Sequence, residues 1–188
     1  GVCIDPNGKA MAGVGAEIAD YDGDGLPDIF LTTFSREYKT LYRNLGKLQF
    51  EDVSLKAGLG SGLLPLGFGT KLFDFDNDGR LDIFMTNGHV TDNVQLYDPQ
   101  LSYKQTDLLY WNTGNGRFRA VSAESGPAFR IQHVGRGAAV ADFDNDGDLD
   151  IVTTDCGGRP MMLWTAGGNP NPWSSITERG RERNRVAG

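Results

Sequence analysis

Apolar residues come in short bursts along this chain, each closed by a polar turn. The runs at 29–33, 83–86 and 151–154 are rich in β-branched and aromatic residues and are bounded by Gly, Asn and Asp. None keeps a helical period over the roughly 10–12 residues a helix needs. They read as strands. Each is preceded by a strand that leads into an acidic loop. Each is followed by a second strand-like segment: Leu41-Tyr42-Arg43-Asn44, Leu109-Tyr110-Trp111-Asn112 and, more weakly, Leu163-Trp164. A further segment follows twice, as Phe50-Glu51-Asp52-Val53-Ser54 and Phe118-Arg119-Ala120-Val121-Ser122. Four strands in a unit of ~50–60 residues, repeated, predict propeller blades. The predicted fold is all-β, about three blades of four antiparallel strands, with repeats near 13–59, 67–127 and 135–168.

The polar turns sharpen this picture. Asp20-Tyr-Asp22-Gly-Asp24-Gly-Leu26-Pro-Asp28-Ile29 recurs as Asp74-Phe-Asp76-Asn-Asp78-Gly-Arg80-Leu-Asp82-Ile83. It recurs again as Asp142-Phe-Asp144-Asn-Asp146-Gly-Asp148-Leu-Asp150-Ile151. A G-x-G precedes each copy: Gly13 and Gly15, Gly67 and Gly69, Gly135 and Gly137. First aspartates are spaced by 54 and then 68 residues, so the second repeat carries extra chain, around 90–107. The G-x-G pairs open no helix and therefore mark close strand packing rather than a dinucleotide fold.

Charge changes the reading of these turns. The 188 residues hold 25 acids and 18 Lys plus Arg, a net of −7. Twelve of the acids are the first, third, fifth and ninth positions of the three loops, and the other 13 are outnumbered by the bases. Carboxylates at positions 1, 3 and 5 of a tight loop can converge on one point. Glycine at position 6 permits the positive φ that turns the chain back, and Gly or Asn at position 4 tolerates the same region. The carbonyl of position 7 (Leu26, Arg80, Asp148) and the carboxylate of position 9 complete an oxygen cage. The expected ligands are Asp20, Asp22, Asp24, Leu26 and Asp28; Asp74, Asp76, Asp78, Arg80 and Asp82; and Asp142, Asp144, Asp146, Asp148 and Asp150. Hard oxygen donors without His or Cys select Ca²⁺, about three ions, over zinc, copper or Mg²⁺. The aromatic at position 2 is expected to turn away and pack in the core. An EF-hand is excluded, because position 12 is Leu31, Met85 or Thr153 rather than a bidentate Glu.

Other classes fall away. No apolar run approaches the ~20 residues of a membrane helix, and net acidity argues against nucleic acid. Two cysteines, Cys3 and Cys156, are too few for a disulfide scaffold, and their spacing leaves a bridge open. His89 and His133 are the only histidines, and no nucleophile elbow or zinc motif is present. His89 opens the 90–107 insertion, which holds Tyr97 and Tyr103. These residues either form a ligand surface or pack the loop, and packing is the preferred reading. The arginines at 179, 181, 183 and 185 are interleaved with Glu178 and Glu182, as in a solvated or disordered tail. No enzyme activity is expected.

The G-x-G, D-x-D-x-D-G-x-x-D and L-Y-R-N…F-E-D-V-S elements resemble FG-GAP/VCBS repeats. Their order, with Asn87-Gly88-His89-Val90, resembles the cartilage acidic protein (ASPIC/UnbV) family, and 169–188 resembles the start of that family's C-terminal region. The resemblance implies a secreted or cell-surface protein, a larger propeller of about seven blades, and Ca²⁺ loops that brace each blade. This segment would then be a fragment whose partners are the remaining blades and a protein or glycan ligand. An accessory propeller of an extracellular enzyme, and an adhesion module like the integrin head, are the competing expectations.

Overall fold

The structure, a computed structural model, describes residues 8 and 10–165, with the backbone alone of 166 and 175–178. Twelve strands form three four-stranded antiparallel sheets, each in simple up-and-down order. The first holds β1 (Gly13–Ala19), β2 (Asp28–Thr33), β3 (Thr40–Asn44) and β4 (Phe50–Asp52). The second holds β5 (Gly67–Phe73), β6 (Asp82–Asn87), β7 (Leu108–Gly114) and β8 (Arg117–Ala120). The third holds β9 (Gly135–Ala141), β10 (Asp150–Asp155), β11 (Met161–Ala166) and β12 (Ser175–Glu178). The fold is all-β, and the sheets are propeller blades. The backbone at 175–178, within the stretch read as the beginning of a C-terminal region, pairs with β11 as a fourth strand. Residues 169–174 and 179–188 lie outside the described residues, as does Cys3; Cys156 is exposed.

The apolar cores lie between blades rather than within them. Strand side chains alternate faces, so a blade flanked on both sides must be apolar on both. On β6, Ile83 and Met85 join Phe30, Leu41 and Val53 of the first blade. Phe84, between them, faces the other way and joins Ile151 and Leu163 of the third. All six residues of β6 are buried, and its centre, Ile83-Phe84-Met85, is apolar without alternation because both faces are covered. Fully burying a Leu- or Phe-sized side chain contributes about 1.5–3 kcal/mol.

Blade stacking puts β1 against β5 and β5 against β9. The G-x-G pairs permit this approach. A Cβ on Gly69 would lie 2.5 Å from the Ala138 nitrogen and 2.8 Å from the Gly137 carbonyl carbon. The neighbouring backbone has no room to yield. Thr32 adds a bond across the seam between the first and second blades: its hydroxyl donates to the Phe68 carbonyl (2.8 Å) and accepts from the Gly15 N–H (2.8 Å).

The 90–107 insertion is stitched to all three blades. Arg36 of the first blade pairs with Asp98 (2.6 Å) and donates to Gln100 (2.8 Å). Buried Asp107 meets buried His133 (2.7 Å), just before β9. Arg136 stacks on Phe68 and donates to the carbonyls of Gly88 and His89. His89 is buried, lies edge-on to Phe34, and accepts from the Thr91 N–H. Both histidines are therefore packing groups.

Lys39 is fully buried beneath this region. Its ammonium donates to the carbonyls of Thr33 (3.1 Å) and Pro65 (2.8 Å), joining the β2–β3 turn to the link between blades. Burial pulls its pKa from 10.5 down to about 7. Below about pH 7 both folded and unfolded chains carry the proton, and the burial cost is fully felt. From there to about 10.5 only the unfolded chain keeps it, so stability rises with pH. Urea unfolding across that window is expected to show a stability slope approaching about 1.4 kcal/mol per pH unit. Lys39→Met should flatten it, and an equal slope in the variant would contradict the assignment.

Candidate metal centres

Each acidic loop joins the first strand of a blade to the second, and its shape follows from residue type. Gly25, Gly79 and Gly147 at position 6 have φ of 86, 86 and 94°. Gly23, Asn77 and Asn145 at position 4 are also left-handed, at 76, 57 and 62°. The chain thus folds back over its own first aspartate. Asp20 accepts from the N–H groups of Gly23, Asp24 and Gly25 at 2.8–3.1 Å. Asp74 accepts from Asp78 and Gly79, and Asp142 from Asp146 and Gly147. The fifth aspartate closes the far side: Asp24, Asp78 and Asp146 each accept from the N–H two residues on, at 2.9 Å.

The ninth aspartate is a buried latch. Asp28, Asp82 and Asp150 are at most 1% exposed. One oxygen of each accepts from the N–H of position 2: Tyr21, Phe75 or Phe143. The other accepts from the third strand of the blade: Asn44 (2.7 Å), Asn112 (2.7 Å) or Thr165 (2.9 Å).

The geometry brings together oxygens of Asp20, Asp22 and Asp28; of Asp74, Asp76 and Asp82; and of Asp142, Asp144 and Asp146, each set within 4.8 Å. Oxygens sharing one Ca²⁺ at ~2.3–2.6 Å lie within about 5 Å of one another, so one cation could span each set. Burial pushes the Asp82 carboxyl up to about 8, with Asp76 and Asp78 adding to it. Burial, then Asp78 and Asp74, raises Asp76 to about 6. One buried oxygen of Asp76 has no hydrogen-bond partner among the described residues. An unpartnered carboxylate oxygen in a crowd of carboxylates is what a bound cation would satisfy.

Not every expected ligand lies in these sets. Arg43 pairs with Asp22 (2.7 Å) and Asp24 (3.0 Å). Arg80 pairs with Asp78, and its side chain donates to the Asn112 carbonyl. No Lys or Arg pairs with the third loop among the described residues. Asp148 is buried, and its carboxylate accepts from the Asn77 amide (2.6 Å) of the second loop. The position-2 aromatics follow the expectation twice. Tyr21 and Phe75 are buried against the next blade, but Phe143 is 43% exposed because no blade follows it among the described residues.

Asn112 is the residue that sequence reasoning passed over. Its amide donates to Tyr21 O of the first loop (3.1 Å) and to Leu81 O of the second (3.0 Å). The recurring Asn at the end of the L-Y-x-N segments was the available signal.

Comparison with known proteins identifies the repeats. The FG-GAP-like repeat family model matches residues 20–85 and 74–153. The chain is 27% identical over 186 residues to cartilage acidic protein 1 of Homo sapiens and 26% identical over 186 residues to that of Mus musculus. The match covers 90% of this chain and 24% and 25% of those relatives, so the chain spans about a quarter of their length.

Asn112→Ala would strand two buried carbonyls and is expected to cost about 1–3 kcal/mol. Urea unfolding measures it; a change under about 0.5 kcal/mol, ordinary for a surface substitution, would show that the bridge carries no stability.

Proposed function

This chain belongs to the FG-GAP-like repeat family, and on that premise we propose that it is a calcium-braced, non-enzymatic propeller segment of a secreted or cell-surface protein, serving protein or glycan recognition. The observation that carries the calcium reading is the orphaned, buried oxygen of Asp76 beside Asp74 and Asp82. A divalent ion supplies positive charge to carboxylates that burial and mutual repulsion otherwise force toward protonation. Asp20, Asp22 and Asp28 would hold one ion, Asp74, Asp76 and Asp82 a second, and Asp142, Asp144 and Asp146 a third. Asp24, Asp78 and Asp150 stand next to these sets and complete the cages, together with the carbonyls of position 7.

The chain's own residues explain what bracing means here. The first aspartate holds the loop closed through backbone N–H groups, and the ninth ties that loop to the third strand of its blade. A cation drawing the first, third and ninth carboxylates together therefore locks a turn onto a sheet. Recognition fits the outer surface of the insertion, where Leu96 and Tyr97 are each 79% exposed. Such exposed apolar and aromatic groups on a stitched-down loop provide contact area at little ordering cost. The secreted setting is supported by the likeness to cartilage acidic protein 1.

A ligand that binds only the folded state at 100 times its Kd adds about 2.7 kcal/mol. Calcium at millimolar concentration is therefore expected to raise the melting temperature by several degrees over the chelated chain. Asp76→Asn should remove one of the binding events seen by calorimetry. An unchanged melting curve with no heat of calcium binding would sink the reading.

A further inference from the structure

Between the first acidic loop and the β7–β8 hairpin lies a cleft of about 580 Å³. Four cations line it, Arg43, Lys56, Arg80 and Arg117, against two acids, Asp20 and Asp22. Lys56 and Arg117 are exposed and make no ion pair among the described residues. Arg43 pairs with Asp22 and Asp24 of the first loop, and Arg80 pairs with Asp78 of the second while donating to the Asn112 carbonyl. The cleft is fixed in shape. The hairpin turn, with Asn115 and Gly116 at φ 55 and 66°, packs beside the Tyr21 ring, and Asn112 holds the two loops together beneath it.

We propose that this cleft binds a compact multivalent oxyanion of the sulfate or phosphate class. The proposal rests on the calcium reading of the first loop. With Asp22 neutralised by a cation, Arg43 is freed from it and turns a planar, two-pronged donor toward the cleft. Lys56 and Arg117 supply charge from the opposite side, and Arg80 from the second loop. A cleft of this size takes one anion, free or carried on a sugar ring. A long polyanion is disfavoured by the remaining carboxylates of a chain with net charge −7.

Calorimetry on the chain tests this. Calcium alone is titrated first. Inorganic sulfate and N-acetylglucosamine 6-sulfate are then titrated into the calcium-loaded and the chelated chain. Saturable binding in the calcium-loaded chain is expected, at least threefold tighter than without calcium, because linkage is reciprocal. Tighter binding of the sulfated sugar than of free sulfate points to a carbohydrate-borne anion, and equal binding to the free ion. Either supports the site. Lys56→Ala/Arg117→Ala should weaken anion binding at least tenfold while leaving the calcium heat and the melting temperature unchanged. Calcium binding without any anion binding overturns the cleft and leaves the metal reading standing. Anion binding indifferent to chelation, or to the double variant, overturns the site as drawn. If no calcium heat is seen, the metal reading fails and this site fails with it.

Discussion

The rest of the structure depends on one buried carboxylate per blade. Asp28, Asp82 and Asp150 sit where strand 2 begins, nearly inaccessible, and each oxygen is committed to a backbone N–H. One bond aims the loop, and the other pins the third strand. Two hydrogen bonds to an anion are worth more than two between neutral groups, yet burial still drives Asp82 up to about 8. The latch therefore works best with a positive neighbour. On the calcium reading proposed above, the aspartates of positions 1, 3 and 5 gather around it to hold that neighbour.

Strand periodicity converts this local latch into a stack. Because Ile83 and Phe84 point to opposite faces, the middle blade has no solvent side, and each core cluster belongs to two blades at once. The loops share in this, since Tyr21 carries the first loop's position 2 into the seam with the second blade, where it meets Phe118. Stability of such an array is a sum of nearest-neighbour interfaces. Phe143, an aromatic at the same loop position, is 43% exposed because no further blade lies beside it among the described residues.

Much of this was legible from residue order alone. Strand positions followed from short apolar runs, and loop geometry followed from Gly and Asn at positions 4 and 6, because both signals are local. The contacts that were not legible join residues far apart in sequence. Asn77 meets Asp148 across 71 residues, and Asn112 meets Tyr21 across 91. Arg43 was read as part of a strand segment, but its placement over Asp22 depends on the β2–β3 register. Lys39 gave no sign of burial, since an ammonium is hidden only when carbonyls converge on it, and Pro65 comes from the link to the next blade.

The three loops, similar in sequence, are not equivalent in charge. The first carries Arg43 on two of its aspartates, and the second carries Arg80 on one. The third has instead an additional acid, Asp148, quieted by the Asn77 amide of its neighbour. A cation entering the first loop must compete with a guanidinium, whereas the third presents the barest negative charge. The loops are also linked, first to second through Asn112 and second to third through Asn77. Closing one loop restrains the carbonyl or amide that its neighbour needs. The three loops, alike in sequence, thus form a graded series in local charge.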